Sequence, residues 1–220
     1  MSDAEQVEFT WQSVSVIQRF SSVLYPLDTY ELLRQAPTIG YVVSDLVLRG
    51  IMEAGKPAAQ KGDIELLVNQ DNKTLGVKGR DVDEAITAFK ELQAFYIERL
   101  DPSPGLATQY VEFDGQGWAK SGHNPTTAFA SFWSDFVPLQ DLGSALGEDV
   151  SHFGIELVPP NRDPNTAEWF HITINPFVPS AAKRYVFRFL WRDPDVEGML
   201  SKVAHTEDIL RKLIRKIERS

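Results

Sequence analysis

Arg184-Tyr185-Val186-Phe187-Arg188-Phe189-Leu190-Trp191-Arg192 is followed by Asp193-Pro194-Asp195 and then by spaced apolar residues from Val196. This stretch decides the fold. Its first part alternates strictly, as a half-buried strand does. Tyr185, Phe187, Phe189 and Trp191 share one face, and Arg184, Arg188 and Arg192 share the other with Val186 and Leu190. After the Pro194 stop, Val196, Met199, Leu200, Val203, Leu210, Leu213 and Ile217 mark an amphipathic helix. Thr206-Glu207-Asp208 reads as a fresh helix start, so a break is expected at His205-Thr206.

A similar block lies about a hundred residues earlier. Ile64 to Lys78 reads as a hairpin turning through Asn69–Lys73, and Gly79-Arg80-Asp81 is its stop. Asp81 then caps a helix, with Glu84 at capping-box spacing. Val82, Ala85, Ile86, Phe89, Tyr96 and Leu100 match Val196, Met199, Leu200, Val203, Leu210 and Ile214. Against this, the Arg80-Asp81 match to Arg192-Asp193 is offset by two residues from the helix match. The expectation is an α+β protein with a mainly antiparallel sheet and helices packed on one face. It comprises two similar halves, 1–103 and 104–220, in one compact unit, with the boundary at Asp101-Pro102-Ser103-Pro104-Gly105.

Each half reads strand, helix, several strands, helix. That element order resembles the repeat of the TATA-binding protein, whose paired halves form one curved antiparallel sheet backed by helices. The resemblance is to element order and implies internal duplication. It carries no residue motif and no function.

The remaining elements follow from local signals. Val7 to Phe20 is a strand whose alternation shifts between Trp11 and Val14, the mark of a bulge or a bend. Pro26-Leu27-Asp28-Thr29 reads as a helix start, with Leu27, Tyr30 and Leu33 in a short apolar stripe that ends at Pro37, and Ile39 to Met52 reads as a strand broken near Gly40 and Gly50. Tyr110 to Phe113 is a strand running into a turn at Asp114-Gly115-Gln116-Gly117. Asn124-Pro125 offers an N-cap and a first-turn proline for a helix carrying Phe129, Phe132, Trp133 and Phe136. Phe153, Ile155 and Leu157 form one alternating set and Phe170, Ile172 and Ile174 another, and Phe153, Ile155, Phe170, Ile172 and Ile174 need burial under helices.

Bulk composition excludes some function classes. The 220 residues include no cysteine, so disulfides, thiolate metal sites and cysteine nucleophiles are ruled out. A net charge of −9 argues against non-specific adhesion to nucleic acid or anionic lipid. No apolar run approaches the roughly 18 residues of a spanning helix. The acidic, polar start Met1–Gln6 is unlike a secretion signal. A cytoplasmic location without membrane attachment is the expectation.

Several motifs fail on inspection. Asp71 to Gly76 has calcium-loop spacing at its ends, but Lys73 and Leu75 stand where oxygen ligands belong. Gly115-Gln116-Gly117 begins like a dinucleotide loop, yet Lys120 replaces the third glycine. His123, His152, His171 and His205 lack ligand spacing, so no metal or cofactor is expected. Ser121 and His123 are near in sequence, which alone makes no triad.

What remains is a sheet face expected to look outward, with Glu112, His152, Glu156, Trp169, His171, Thr173, Arg188 and Arg192. Glu156, His171, Arg188 and Arg192 are the candidates for acid–base work or for holding an anion. The competing explanation is ordinary cross-strand ion pairing. The aromatic face of the last strand would stack bases if exposed, and core packing is the alternative. Arg211, Lys212, Arg215, Lys216 and Arg219 make the last helix basic, which suits a helix C-terminus or an acidic partner surface. The functional expectation is a non-enzymatic binding or protein-interaction module with a protein or small-molecule partner, a homo-oligomer remaining open. An enzyme using the open face is the alternative, and a nucleic-acid-binding protein comes third.

Overall fold

Two thirteen-residue strands, β1 (Glu8–Phe20) and β6 (Thr108–Lys120), pair antiparallel along almost their whole length. The computed structural model describes residues 7–21, 28–50, 57–100, 108–133, 152–178 and 182–219. Among them the chain forms one open nine-stranded antiparallel sheet with six helices.

The first-half strands after β1 are β2 (Val42–Val43), β3 (Ala59–Lys61), β4 (Ile64–Asn69) and β5 (Thr74–Gly79). The second-half strands after β6 are β7 (Ile155–Leu157), β8 (Trp169–Pro176) and β9 (Arg184–Asp193). The sheet order is β2-β3-β4-β5-β1-β6-β9-β8-β7. In each half the last strand returns to lie beside the first, and the shortest strands stand at the two edges. The expected boundary near residue 103 falls outside the described residues.

The helices are α1 (Thr29–Gln35), α2 (Asp45–Leu48), α3 (Val82–Arg99), α4 (Pro125–Trp133), α5 (Val196–Ala204) and α6 (Thr206–Glu218). Their starts follow the capping chemistry. The Asp28 carboxylate accepts from the Glu31 N–H, Asp81 from Glu84, and the Asn124 amide oxygen from Thr126. The expected break at His205 separates α5 from α6. In α3, Ala85, Ile86, Ala88, Phe89, Leu92, Phe95 and Tyr96 are buried. Each large side chain contributes about 1.5–3 kcal/mol on burial, against about 0.3–0.5 for a helical ion pair, so packing holds α3 in place.

The buried face of the sheet runs through Val14, Val16 and Phe20 of β1, Leu75 and Val77 of β5, Val111 and Phe113 of β6, Tyr185, Phe187 and Phe189 of β9, and Ile172 and Ile174 of β8. With the inner faces of the helices it forms one contiguous core. The aromatic face of β9 therefore packs inside and offers no platform for bases. The one buried amide side chain in this layer among the described residues, Gln18, is satisfied. Its Nε2 donates to the Thr108 hydroxyl at 2.7 Å, and its Oε1 accepts from the Tyr96 hydroxyl at 3.0 Å. The bulge foreshadowed in β1 falls between Trp11 and Ser13. It returns Phe9 and Trp11 to the same face as Val14.

Three readings need correction. Asp114 to Gly117 is no turn: β6 runs straight through it to Lys120. The glycines are there for room. Trp11 meets Phe187 edge-on at 4.9 Å and Phe113 at 6.1 Å. A Cβ on Gly115 would lie 2.6 Å from the Trp11 ring, and one on Gly117 would lie 2.2 Å from the Thr10 carbonyl and 3.0 Å from Phe187. Ile39 to Gly50 is mostly not a strand. Ser44 accepts from the Val47 N–H and starts α2, leaving only Val42 and Val43 extended; Ile51 and Met52 fall outside the described residues. Phe153 is 58 % exposed, because Gly154 at φ 128° breaks the alternation before β7 begins. Phe136 also falls outside the described residues.

Substituting Gly117→Val should destabilise the protein by about 2–3 kcal/mol, since a backbone carbonyl cannot move aside. At this chain length that lowers Tm by roughly 5–10 °C. Gln116→Ala, on the exposed face of the same strand, should stay within about 0.5 kcal/mol. Calorimetric melts of the two variants check this; an unchanged Gly117→Val melt would refute the packing account.

Candidate functional site

Alternation along paired strands puts one row of outward side chains after another across the sheet. One row reads Glu65, Lys78, Ser15, Asp114, Leu190, His171. The next reads Leu67, Gly76, Ile17, Glu112, Arg192, Trp169. A third holds Gln116, Arg188, Thr173 and Glu156. Glu156, His171, Arg188 and Arg192 thus share the outward face; of the four, His171 and Glu156 meet, and the two arginines pair with other residues.

Each finds its own partner. Arg188 lays both ends of its fork on Asp114, with Nε–Oδ1 at 3.0 Å and Nη2–Oδ2 at 2.7 Å. This hydrogen-bonded carboxylate raises the Arg188 pKa further above its ordinary value. Arg192 binds Glu112 through Nε, donates to the Pro164 carbonyl at 2.8 Å, and lies over the Tyr110 ring at 5.0 Å. His171 Nε2 stands 2.7 Å from Glu156 Oε1. That nitrogen is buried and makes no aligned hydrogen bond. Leu190 lies across from His171 and between the two arginines along β9. An acid–base centre needs a proton acceptor within reach of substrate. Here two carboxylates are engaged by arginines and the third stands against His171. His152 is not on this face: its ring lies on Trp133 of α4 at 4.6 Å.

Sequence reasoning missed Asp114 because the glycines beside it suggested a turn. The period-two pattern was nevertheless present: Tyr110, Glu112, Asp114, Gln116, Trp118 and Lys120 look outward, and Val111, Phe113, Gly115, Gly117 and Ala119 look inward. Accepting glycine as an inward residue would have revealed it.

The same face carries a groove of about 550 Å³ over the middle strands. Ile17, Leu67, Arg19, Tyr110, Arg192 and Asn72 help line it. Gly76 lies between Leu67 and Ile17 in their row and is buried, with the Ile17 side chain against it. Tyr110 is only 7 % exposed, with the Arg19 guanidinium over its ring at 5.8 Å as well as that of Arg192. Arg19 donates to the Tyr110 hydroxyl at 3.2 Å and has no carboxylate partner among the described residues. Two further hollows flank α3, of about 620 and 420 Å³, and the exposed Lys61–Glu91 pair at 2.6 Å lines both.

A second polar cluster sits at the end of α6. The Glu218 carboxylate accepts from the Ser121 hydroxyl and from the Tyr185 hydroxyl at 3.1 Å, and His123 Nδ1 lies 3.5 Å away. In a nucleophilic triad the imidazole stands between hydroxyl and carboxylate. Here the serine donates directly to the carboxylate, so nothing activates it, and the cluster ties the last helix to the loop after β6. The basic residues of α6 divide: Arg211 pairs with Asp208 at 2.6 Å and covers Phe9, while Lys212 and Arg219 are exposed. No group of three or more His, Asp or Glu side chains among the described residues is placed to hold a metal. No helix among them is long and apolar enough to cross a membrane. Comparison with models of known protein families finds no match, and comparison with curated proteins finds none.

Two measurements follow from this geometry. The bidentate Arg188–Asp114 pair is half-exposed, so a double-mutant cycle with Arg188→Met and Asp114→Asn should give a coupling of about 0.5–1 kcal/mol that shrinks in high salt. Zero coupling at low salt would show the pair to be ornamental. Separately, burial pushes the Tyr41 phenol up to about 12, and burial with Glu218 alongside raises Tyr185 as well. An unfolded tyrosine ionises near pH 10. Stability should therefore be intact below pH 10 and fall as pH rises towards 12, since only the unfolded state gains the charged form. Ultraviolet titration should show these two phenols ionising only as the fold opens.

Proposed function

We propose that this chain is a non-enzymatic binding module whose working surface is the open face of the sheet. One observation carries the reading. The charged side chains expected to do chemistry there are each held by a charged partner, Arg188 by Asp114, Arg192 by Glu112 and His171 by Glu156, while the concave part of that face lies over Ile17 and Leu67, with the Arg192–Glu112 pair in its lining. A face of paired charges, with a hollow bearing an arginine that has no carboxylate partner among the described residues, suits recognition better than turnover. Its partner would be a small molecule or a protein segment.

The strand order also supports reading the two halves as an internal duplication. Outward from the centre the first half runs β1-β5-β4-β3, with the two-residue β2 beyond it at the edge, and the second runs β6-β9-β8-β7. Each order is first strand, last strand, and then the strands before it.

The alternative, acid–base chemistry through His171 and Glu156, makes a different prediction. Hydrolysis of p-nitrophenyl acetate and p-nitrophenyl phosphate by the whole chain should stay at the buffer rate. His171→Ala and Glu156→Gln should leave that rate unchanged. A turnover that disappears in either variant while the fold persists would replace the binding reading with an enzymatic one.

A further inference from the structure

We infer that the groove around Arg19 and Tyr110 is a binding site for a small-molecule monocarboxylate with an apolar body. The inference rests on the binding-module reading and names its ligand.

The argument begins with charge. On this face Arg188 and Arg192 have carboxylates of their own, and Lys78 has Glu65 at 3.5 Å. Arg19 has only the Tyr110 hydroxyl, a neutral partner at 3.2 Å. One guanidinium in the groove is therefore left without a counter-charge among the described residues. Its fork matches a carboxylate through paired N–H groups, and a charge-assisted bond of that kind is roughly twice as strong as a neutral one. A single carboxylate balances a single arginine. A phosphate monoester, with close to two charges, would leave an excess beside Glu112.

The rest of the groove describes the ligand's body. Ile17 and Leu67 present apolar surface to the groove, and Ile17 packs against the buried Gly76. A Cβ on Gly76 would lie 2.3 Å from the Val16 carbonyl, so only glycine fits that point of the sheet. The Tyr110 ring continues the surface towards Arg192. Asn72 lines the groove near the β4–β5 turn. A hollow of about 550 Å³ is within the range that holds small organic ligands. Charge at one end and aliphatic surface along the floor describe an amphipathic acid.

Titration of the whole, isotope-labelled chain with sodium octanoate, followed by amide NMR, tests this. Octanoate should bind saturably and shift Arg19, Leu67, Asn72 and Tyr110. 1-Octanol should bind at least about tenfold more weakly, since it lacks the charge. Arg19→Gln should weaken octanoate by a similar factor, Arg19→Lys by less, and Arg188→Gln hardly at all. Arg19 is exposed, and the amide spectrum of each variant reports whether it folds. The inference is overturned by equal affinity for octanol, by tighter binding of octyl phosphate, or by no octanoate binding at millimolar concentration. Shifts centred instead on Arg188 and Trp118 would also overturn it, yet would leave the open face as a binding surface.

Discussion

The antiparallel register of β1 against β6 is the constraint on which the rest of the molecule depends. Each half contributes one long strand, and every row of side chains that crosses the sheet passes through that pair. A slip by one residue would turn Val14 and Val16 to solvent and bring Ser15 and Ile17 inside. The register is held on the buried side by rings standing over glycines. Trp11 occupies space that a side chain on Gly115 would fill, and Phe187 occupies that of Gly117. It is also held by a buried amide, since Gln18 joins β1 to Thr108 on β6 and to Tyr96 on α3. An unmatched Gln18 would cost the desolvation of that amide, about 1–3 kcal/mol, so a shifted pairing is penalised twice.

This explains which parts of the fold could be read directly. Strong alternation in β9 and helical spacing in α3 and α5–α6 follow from burial of one face, and burial leaves its period in the sequence. The caps at Asp28, Asp81 and Asn124 are local chemistry and were equally legible. The misreadings share one cause. Gly115 and Gly117 are in a strand because distant rings need their space, and nothing local distinguishes that from a turn. Gly154 does the reverse, ending an alternation that Phe153 seems to continue. In the 39–50 segment, aliphatic composition suggested a strand, but the cap at Ser44 and the left-handed Gly40 and Gly50 divide it into short pieces.

The candidate site was legible by face and not by partner. The outward positions of Glu156, His171, Arg188 and Arg192 follow from period two alone. Which of them meet depends on register between strands far apart in the chain. Asp114 lies 74 residues before Arg188, and Glu112 lies 80 before Arg192. Had β6 ended at Phe113, Arg188 would have lacked its acid and remained available for an anion. The extension of β6 through the two glycines is what neutralises it. A decision about backbone packing on the buried side thus fixes the electrostatics of the open side.

The same reasoning separates Arg19 from the other arginines. Its row neighbours are Thr74 on β5 and Tyr110 on β6, neither of them acidic. A surface arginine needs no partner for stability, because water solvates it well and an exposed pair contributes at most about 1 kcal/mol. Lack of a carboxylate is therefore no defect of the fold. What distinguishes Arg19 is the company of a nearly buried tyrosine and of two aliphatic side chains beside a glycine. On a face where cross-strand pairing has neutralised Arg188 and Arg192 of β9, that combination leaves positive charge and apolar surface together in one hollow.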